Sequence, residues 1–221
     1  MSANALLDEL QLLLARLVDV PVRFPVTGFH LAQRAQCCEL LGRELGPEED
    51  EQVLLSENEA GPALTVYIDQ QVLRRLDRHD PMRQLSDTNL ADFCVALEGV
   101  SHFQYLVWSA EYGRQVSLLE LELQAEVDKY AVAVYLLRRQ GCSDLPRGLR
   151  HSLFENVGFV NGLSAEIRQR YIEANRYAAR FCRHLERQYL TQQRFRPEAW
   201  LRALREFYRY PHRQKLRCAL P

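Results

Sequence analysis

Apolar residues recur every three to four positions over residues 3–18, where Leu6, Leu10, Leu13, Leu14 and Leu17 form one stripe. This spacing predicts a helix, ended by Pro21 and Pro25. A second helix is expected over 30–41, after Thr27 and Gly28. Two short runs, 52–55 and 64–68, read as the strands of a β-hairpin around a long loop at 56–62. An isolated hairpin is marginal in water, so this one must pack on helices. A helix over 69–78 leads through His79-Asp80-Pro81 to a polar loop in which Ser86, Asp87 or Thr88 can cap the next helix. That segment, 89–108, is apolar almost all round, with Phe93, Leu97, Val100, Phe103, Val107 and Trp108 among its residues, and reads as a central buried helix. A short break around Glu111, Tyr112 and Gly113 returns the chain antiparallel as a helix over 117–139. After a loop at 141–148, residues 164–190 carry the clearest remaining helical pattern. The fold expected is mainly α with a minor β part (α+β): a helical bundle with a central antiparallel helix pair and a small flanking hairpin, forming a single globular domain over 1–221.

The pattern breaks where it matters most. At about 100° per residue, Glu122, Glu126 and Lys129 fall within about 60° of arc in the middle of the apolar face of 117–139, flanked by Leu118, Leu119, Ala133, Leu136 and Leu137. Glu120, Gln124 and Asp128 take the opposite face, which is therefore expected to meet water. Buried unpaired charge costs several kcal/mol, so the inward charges need partners or a task. The neighbouring helix supplies Glu98 and His102, spaced i, i+4, with Tyr105 and Ser109 continuing their strip. Folding about residue 112 sets His102 level with Glu122 and Glu98 level with Glu126.

Three readings of this cluster follow. The leading one is a satisfied network of ion pairs and hydrogen bonds that specifies helix register, with Lys129 neutralising carboxylates. The second is a divalent metal held by Glu98, His102, Glu122 and Glu126 between core helices. The chain has no Glu-x-x-His, and the spacing present is Glu98-x-x-x-His102. The third is a metal-free acid/base site whose carboxylate is raised by like charges.

Charge is distributed unevenly. The chain of 221 residues has a formal net charge of −1, yet residues 1–137 carry 10 basic and 22 acidic side chains and residues 138–221 carry 18 and 7. The acidic part thus stands at −12 and the basic part at +11. Lys129 and Lys215 are the only lysines, an arginine bias that coding composition explains as readily as guanidinium chemistry.

The helix at 164–190, capped by Ser164, packs through Ile167, Tyr171, Ala174, Ala178, Phe181, Leu185 and Tyr189 and presents Arg176, Arg180, Arg183 and Arg187 on its reverse. The tail interleaves arginines with Phe195, Trp200, Phe207, Tyr208 and Tyr210. Such a surface suits a nucleic-acid backbone with base stacking, although Trp200, Leu204 and Phe207 at helical spacing look like a docking face for the tail. The acidic half of this chain, or of a second copy, is an alternative partner for the arginines.

Hydrophobic content of 47% supports a sizeable core and excludes general disorder. Neither a signal peptide nor a transmembrane helix is expected, and a cytoplasmic protein is the default. Six cysteines without a Cys-x-x-Cys pair suit reduced thiols and not structural zinc. The His79-Asp80 pair resembles a phosphohydrolase dyad without its supporting residues. Glu57 and Glu59 in the hairpin loop and Asp69 at the strand end could hold a cation, although solvated turn carboxylates are far commoner, and His30, His151 and His212 have no partner motif. No Gly-rich phosphate loop, Gly-x-Ser-x-Gly elbow, His-Glu-x-x-His or Cys/His zinc spacing occurs.

The function favoured from sequence is a non-enzymatic interaction or regulatory protein, without a cofactor, that binds a protein partner, a second copy of itself or nucleic acid through Arg176, Arg180, Arg183 and Arg187, with no membrane involved. The rival is a small helical metal-dependent enzyme built on Glu98, His102, Glu122 and Glu126.

Overall fold

The computed structural model describes residues 3–58, 61–142, 147–155, 164–190 and 196–219. Helix α1 (Ala3–Val18) is followed by a short 3-10 turn (Val26–Gly28), strand β1 (His30–Leu31), α2 (Arg34–Leu41), β2 (Glu51–Asn58), β3 (Gly61–Ile68), α3 (Gln70–Arg78) and the long pair α4 (Leu90–Glu111) and α5 (Leu118–Arg139). Then come α6 (Arg147–Arg150), running on as a wide turn to Glu155, α7 (Ala165–Leu185), widening likewise to Leu190, α8 (Pro197–Arg209) and α9 (His212–Cys218). The mainly helical α+β class and the central antiparallel pair are as the apolar pattern predicts.

Helix α4 is the hub. Helices α1, α3 and α5 and the sheet all pack against it, and α7 covers the far side of α5. The sheet runs β1-β3-β2, with β1 parallel and β2 antiparallel to β3. Val66 and Ile68 of β3 press on α4 at Gly99, where an added Cβ would stand 2.9 Å from Ile68 Cδ1 and 3.0 Å from Val66 Cγ1. A glycine here thus buys close approach of helix and sheet, and with it the nearness of β2 to Glu98 and His102.

Several local expectations are corrected. The 30–41 segment is helical only from Arg34. His30 and Leu31 pair with Val66 and Tyr67 instead, because β3 offers an open edge whose hydrogen bonds outweigh local propensity. The hairpin loop is shorter than expected, since Asn58 pairs with Gly61; Glu59 lies outside the described residues. Asn89, and not Ser86, Asp87 or Thr88, stands before α4. Its side chain accepts from Ser86 N at 2.9 Å and donates to His79 O and Gln84 O at 2.9 and 2.8 Å, knitting the preceding loop.

The largest correction concerns α5. Glu120, Gln124 and Asp128, expected in water, are each 1% exposed. Residues about 90 positions later cover them: α9 lays Lys215 over this face, and the Tyr210 carbonyl accepts from Arg114 at 3.1 Å. Trp200, Leu204, Phe207 and Tyr208 of the aromatic tail are likewise buried and dock α8, Tyr210 is half-buried, and Phe195 lies outside the described residues. Arg205 and Arg209 donate to the carbonyls of Arg16, Leu17, Val18 and Asp19 at 2.6–3.3 Å, capping the end of α1 with guanidinium charge. All six cysteines are free thiols. No described helix is long and apolar enough to cross a membrane.

Alanine in a helix interior is ordinarily better than glycine by about 1 kcal/mol. Gly99→Ala is expected to reverse that sign and destabilise by about 1–3 kcal/mol through overpacking against Val66 and Ile68; urea denaturation of the two proteins measures it.

Candidate metal centre

Helix α4 places Glu98 and His102 one turn apart, α5 places Glu122, Glu126 and Lys129 on the facing surface, and the first residue of β2 brings in Glu51. His102 Nδ1 lies 3.2 Å from Glu51 Oε1, and His102 Nε2 lies 3.6 Å from Glu122 Oε2. Lys129 Nζ donates to Glu98 Oε2 at 2.9 Å and to Glu126 Oε1 at 2.7 Å. The register expected from folding at residue 112 thus holds, His102 directly against Glu122 and Glu98 reaching Glu126 through the shared ammonium. Glu51 was not foreseen, because residues 46–51 are acidic and contain Pro47, a composition that reads as a solvated loop.

One contact sets this group apart from an ordinary ion-pair network. A carboxylate only accepts, so Glu51 requires the proton on His102 Nδ1. The Nε2 atom faces another acceptor, Glu122, at 3.6 Å, too long for an ordinary hydrogen bond, although the residue is only 4% exposed. Two acceptors in this position are reconciled by a proton or a cation between them. One donor atom from each of Glu98, His102 and Glu122 lies within 4.8 Å of the others. Four carboxylates face one ammonium and one imidazole here, so among the described residues carboxylates outnumber cations even with the imidazole protonated.

The protonation energetics follow. Burial pulls the His102 pKa down, but Glu51 and Glu122 outweigh it and the net shift is well upward. Burial likewise opposes charge on Lys129, yet Glu126 and Glu98 hold it well above the usual lysine value. Burial raises Glu51 and Glu126, whereas in Glu98 the pull of Lys129 and His102 overcomes burial and the net shift is downward. Cys94, the thiol beside Lys129, is pushed up to about 12 by burial. Tyr171 of α7 is raised by burial and by the fields of Glu122, Glu98 and Glu51, which puts it beside the cluster.

The opposite face of α5 shows the contrast. Asp128 accepts from Ser101 Oγ at 2.7 Å and Gln124 Nε2 at 2.8 Å, and Glu120 accepts from Tyr105 Oη at 2.5 Å and Arg114 Nη2 at 3.2 Å. Lys215, wholly buried, donates to Gln124 Oε1 and lies 4.2 Å over the Tyr105 ring. The carboxylates of this second cluster find donors within the fold, whereas in the first His102 Nε2 and Glu122 stand 3.6 Å apart.

The other sequence candidates are accounted for by local structure. Asp80 accepts from Met82 N at 2.8 Å in a turn, with His79 exposed beside it. Asp69 caps α3 and accepts from Tyr67 Oη at 2.7 Å. His30 meets the Ile68 carbonyl at 3.2 Å, His151 pairs with Glu155 at 3.0 Å, and His212 bonds Ser117 Oγ at 3.1 Å. Arg176, Arg180, Arg183 and Arg187 form an exposed stripe along α7, as the spacing predicts, and none is ion-paired among the described residues. No protein-family model, curated protein or solved structure matches the chain.

The satisfied cluster generates a pH prediction. Burial chiefly depresses Lys215 to about 7 and raises Asp128 to about 6. The folded Lys215 binds fewer protons than the unfolded one between about pH 7 and its ordinary value of 10.5, so stability rises with pH across that window. Asp128 acts oppositely at lower pH: the folded carboxyl keeps its proton longer, and stability falls as pH rises from 3.8 to about 6. Lys215→Met removes the alkaline rise, a change of the order of a few kcal/mol between pH 7 and 10 in guanidinium denaturation.

Proposed function

We propose that this protein is a divalent-cation-dependent enzyme whose metal is bound by Glu98, His102 and Glu122. The observation that carries the reading is the unpartnered Nε2 of buried His102, facing Glu122 with Glu98 in reach, in a group with excess negative charge. Glu51 acts as the carboxylate behind the imidazole: by holding the Nδ1 proton it fixes the tautomer and directs the Nε2 lone pair to the metal. One imidazole with carboxylates and no thiolate suits Zn²⁺, Mn²⁺ or Fe²⁺. Three protein donors leave coordination positions open, and the ion's contribution there is to acidify water or polarise a bound carbonyl or phosphoryl oxygen. Glu126, raised by burial and steadied by Lys129, is the proton acceptor, so the reaction class is hydrolysis. Lys129 also ties Glu98 to Glu126 and keeps both carboxylates oriented. Six free thiols fit a reducing cytoplasmic setting.

Protein purified without chelators and dialysed against Zn²⁺ or Mn²⁺ is expected to retain about one equivalent by elemental analysis. Glu98→Gln with Glu122→Gln should lose it with an unchanged circular dichroism spectrum, and Glu51→Gln should weaken affinity by about 10–100-fold. Glu126→Gln should keep the metal and lose turnover on a panel of ester, amide and phosphoester substrates. Wild type that retains no metal sinks the proposal and leaves a structural ion-pair network.

A second reading rests on the arginine stripe. Arg176, Arg180 and Arg183 line a groove of about 440 Å³ with Phe154, Ile172 and Asn175, and this surface suits an acidic partner, whether protein or nucleic acid. Replacing all four arginines by serine should abolish salt-sensitive capture of such a partner in pull-down or mobility-shift assays; no salt-sensitive capture by the wild type counts against it.

A further inference from the structure

One to two turns beyond His102, the C-terminal half of α4 forms one wall of a groove of about 850 Å³, and the hairpin forms the other. The walls are mostly apolar, supplied by Leu106, Val107 and Ala110 on the helix and Leu55 and Leu64 on the strands. Phe24 and Leu55 are 52% and 67% exposed. That size and lining are those of a pocket for a small, largely apolar ligand, and so much exposed apolar surface in one place marks a binding face more often than chance.

The polar residues of the groove select the ligand. Ser109 is 1% exposed and its hydroxyl has no hydrogen-bond partner. Arg114 is fixed on three sides: its guanidinium stacks 4.8 Å over Trp108, and Nη2 donates to Glu120 Oε1 and to the Tyr210 carbonyl. Its other terminal nitrogen, Nη1, is buried without a partner. Both residues line the groove, and both hold a donor that lacks an acceptor. A buried donor without an acceptor costs free energy that a bound anion would recover. Glu111, also on the lining, is paired with Arg23 at 2.6 Å, so its charge is compensated and does not repel an anion.

We propose that this groove binds an amphiphilic carboxylic acid, its acyl chain between hairpin and α4 and its carboxylate on Ser109 Oγ and Arg114 Nη1. The site uses none of the residues of the metal centre, so the two readings stand or fall separately.

Isothermal titration of the full-length protein with octanoate, decanoate and dodecanoate below their micellar concentrations tests it, with decanol as the head-group control. Each added pair of methylenes should tighten binding about tenfold. Decanoate should bind at least tenfold more tightly than decanol. Ala110 is exposed on the groove wall, so Ala110→Trp should fill the groove and abolish the heat while the circular dichroism spectrum stays native. Ser109→Ala should weaken decanoate several-fold with the chain-length dependence unchanged. Absence of binding, equal affinity for decanol, or decanoate binding undiminished in Ala110→Trp each overturn the proposal.

Discussion

Everything in this fold depends on burying two long helices against each other while charge remains in their seam. Helices α4 and α5 are covered on nearly every side, so the carboxylates, imidazole and ammonium between them have little access to water. In such surroundings a charge is tolerated only beside an opposite one or a sufficient set of hydrogen-bond donors. The rest of the chain answers that demand. The sheet comes close enough at Gly99 to deliver Glu51, α7 brings Tyr171 against one face, and α8 and α9 roof the other.

The two faces of α5 answer it differently, and the difference is chemical. Around Asp128 and Glu120 each acceptor has found donors, from Ser101, Gln124, Tyr105 and Arg114. Around His102 the donors run short. Glu51 and Glu122 flank His102 on both ring nitrogens, an arrangement completed either by a proton that makes the imidazole a cation or by a metal ion between His102 and Glu122. Lysine usage is confined to the same two places: among 28 lysines and arginines only Lys129 and Lys215 are lysines, and each is buried in one of the two clusters. A guanidinium stays charged almost regardless of its surroundings, whereas an ammonium responds to burial and neighbours, and both lysines of the chain stand at these two points.

The legible part of this structure was the part written in local pattern and short connections. The period of 89–108 and 117–139 identified the central pair, and the tight turn at residue 112 was enough to bring His102 to Glu122. Glu51 was not legible, because its place is set by the pairing of β2 with β3 and by the tight contact at Gly99, neither of which leaves a mark near residue 51. Glu120, Gln124 and Asp128 were assigned to water for a related reason. Polar spacing on a helix marks a solvated face only if nothing later in the chain covers it, and Lys215 does. The scarcity of lysine was the one available signal for that covering, and it carries meaning only once burial is known. The arginine-rich tail was ambiguous for a different reason: Arg205 and Arg209 bond backbone carbonyls of α1, and a carbonyl-bound arginine has the same local sequence as a phosphate-bound one.

The caps that Arg205 and Arg209 place on α1 also bear on how the chain is made. The last carbonyls of α1 lie at residues 16–19, and their side-chain donors are about 190 positions away. At synthesis rates of about 5–20 residues per second, the first helix waits on the order of 10–40 s on the ribosome before its end can be closed. Its leucine-rich face meanwhile has only the earlier elements to shelter it. Closure of α1 is therefore a late event that waits for α8, and a nascent chain halted before α8 presents an unsealed helix end of the kind that chaperones and proteases meet.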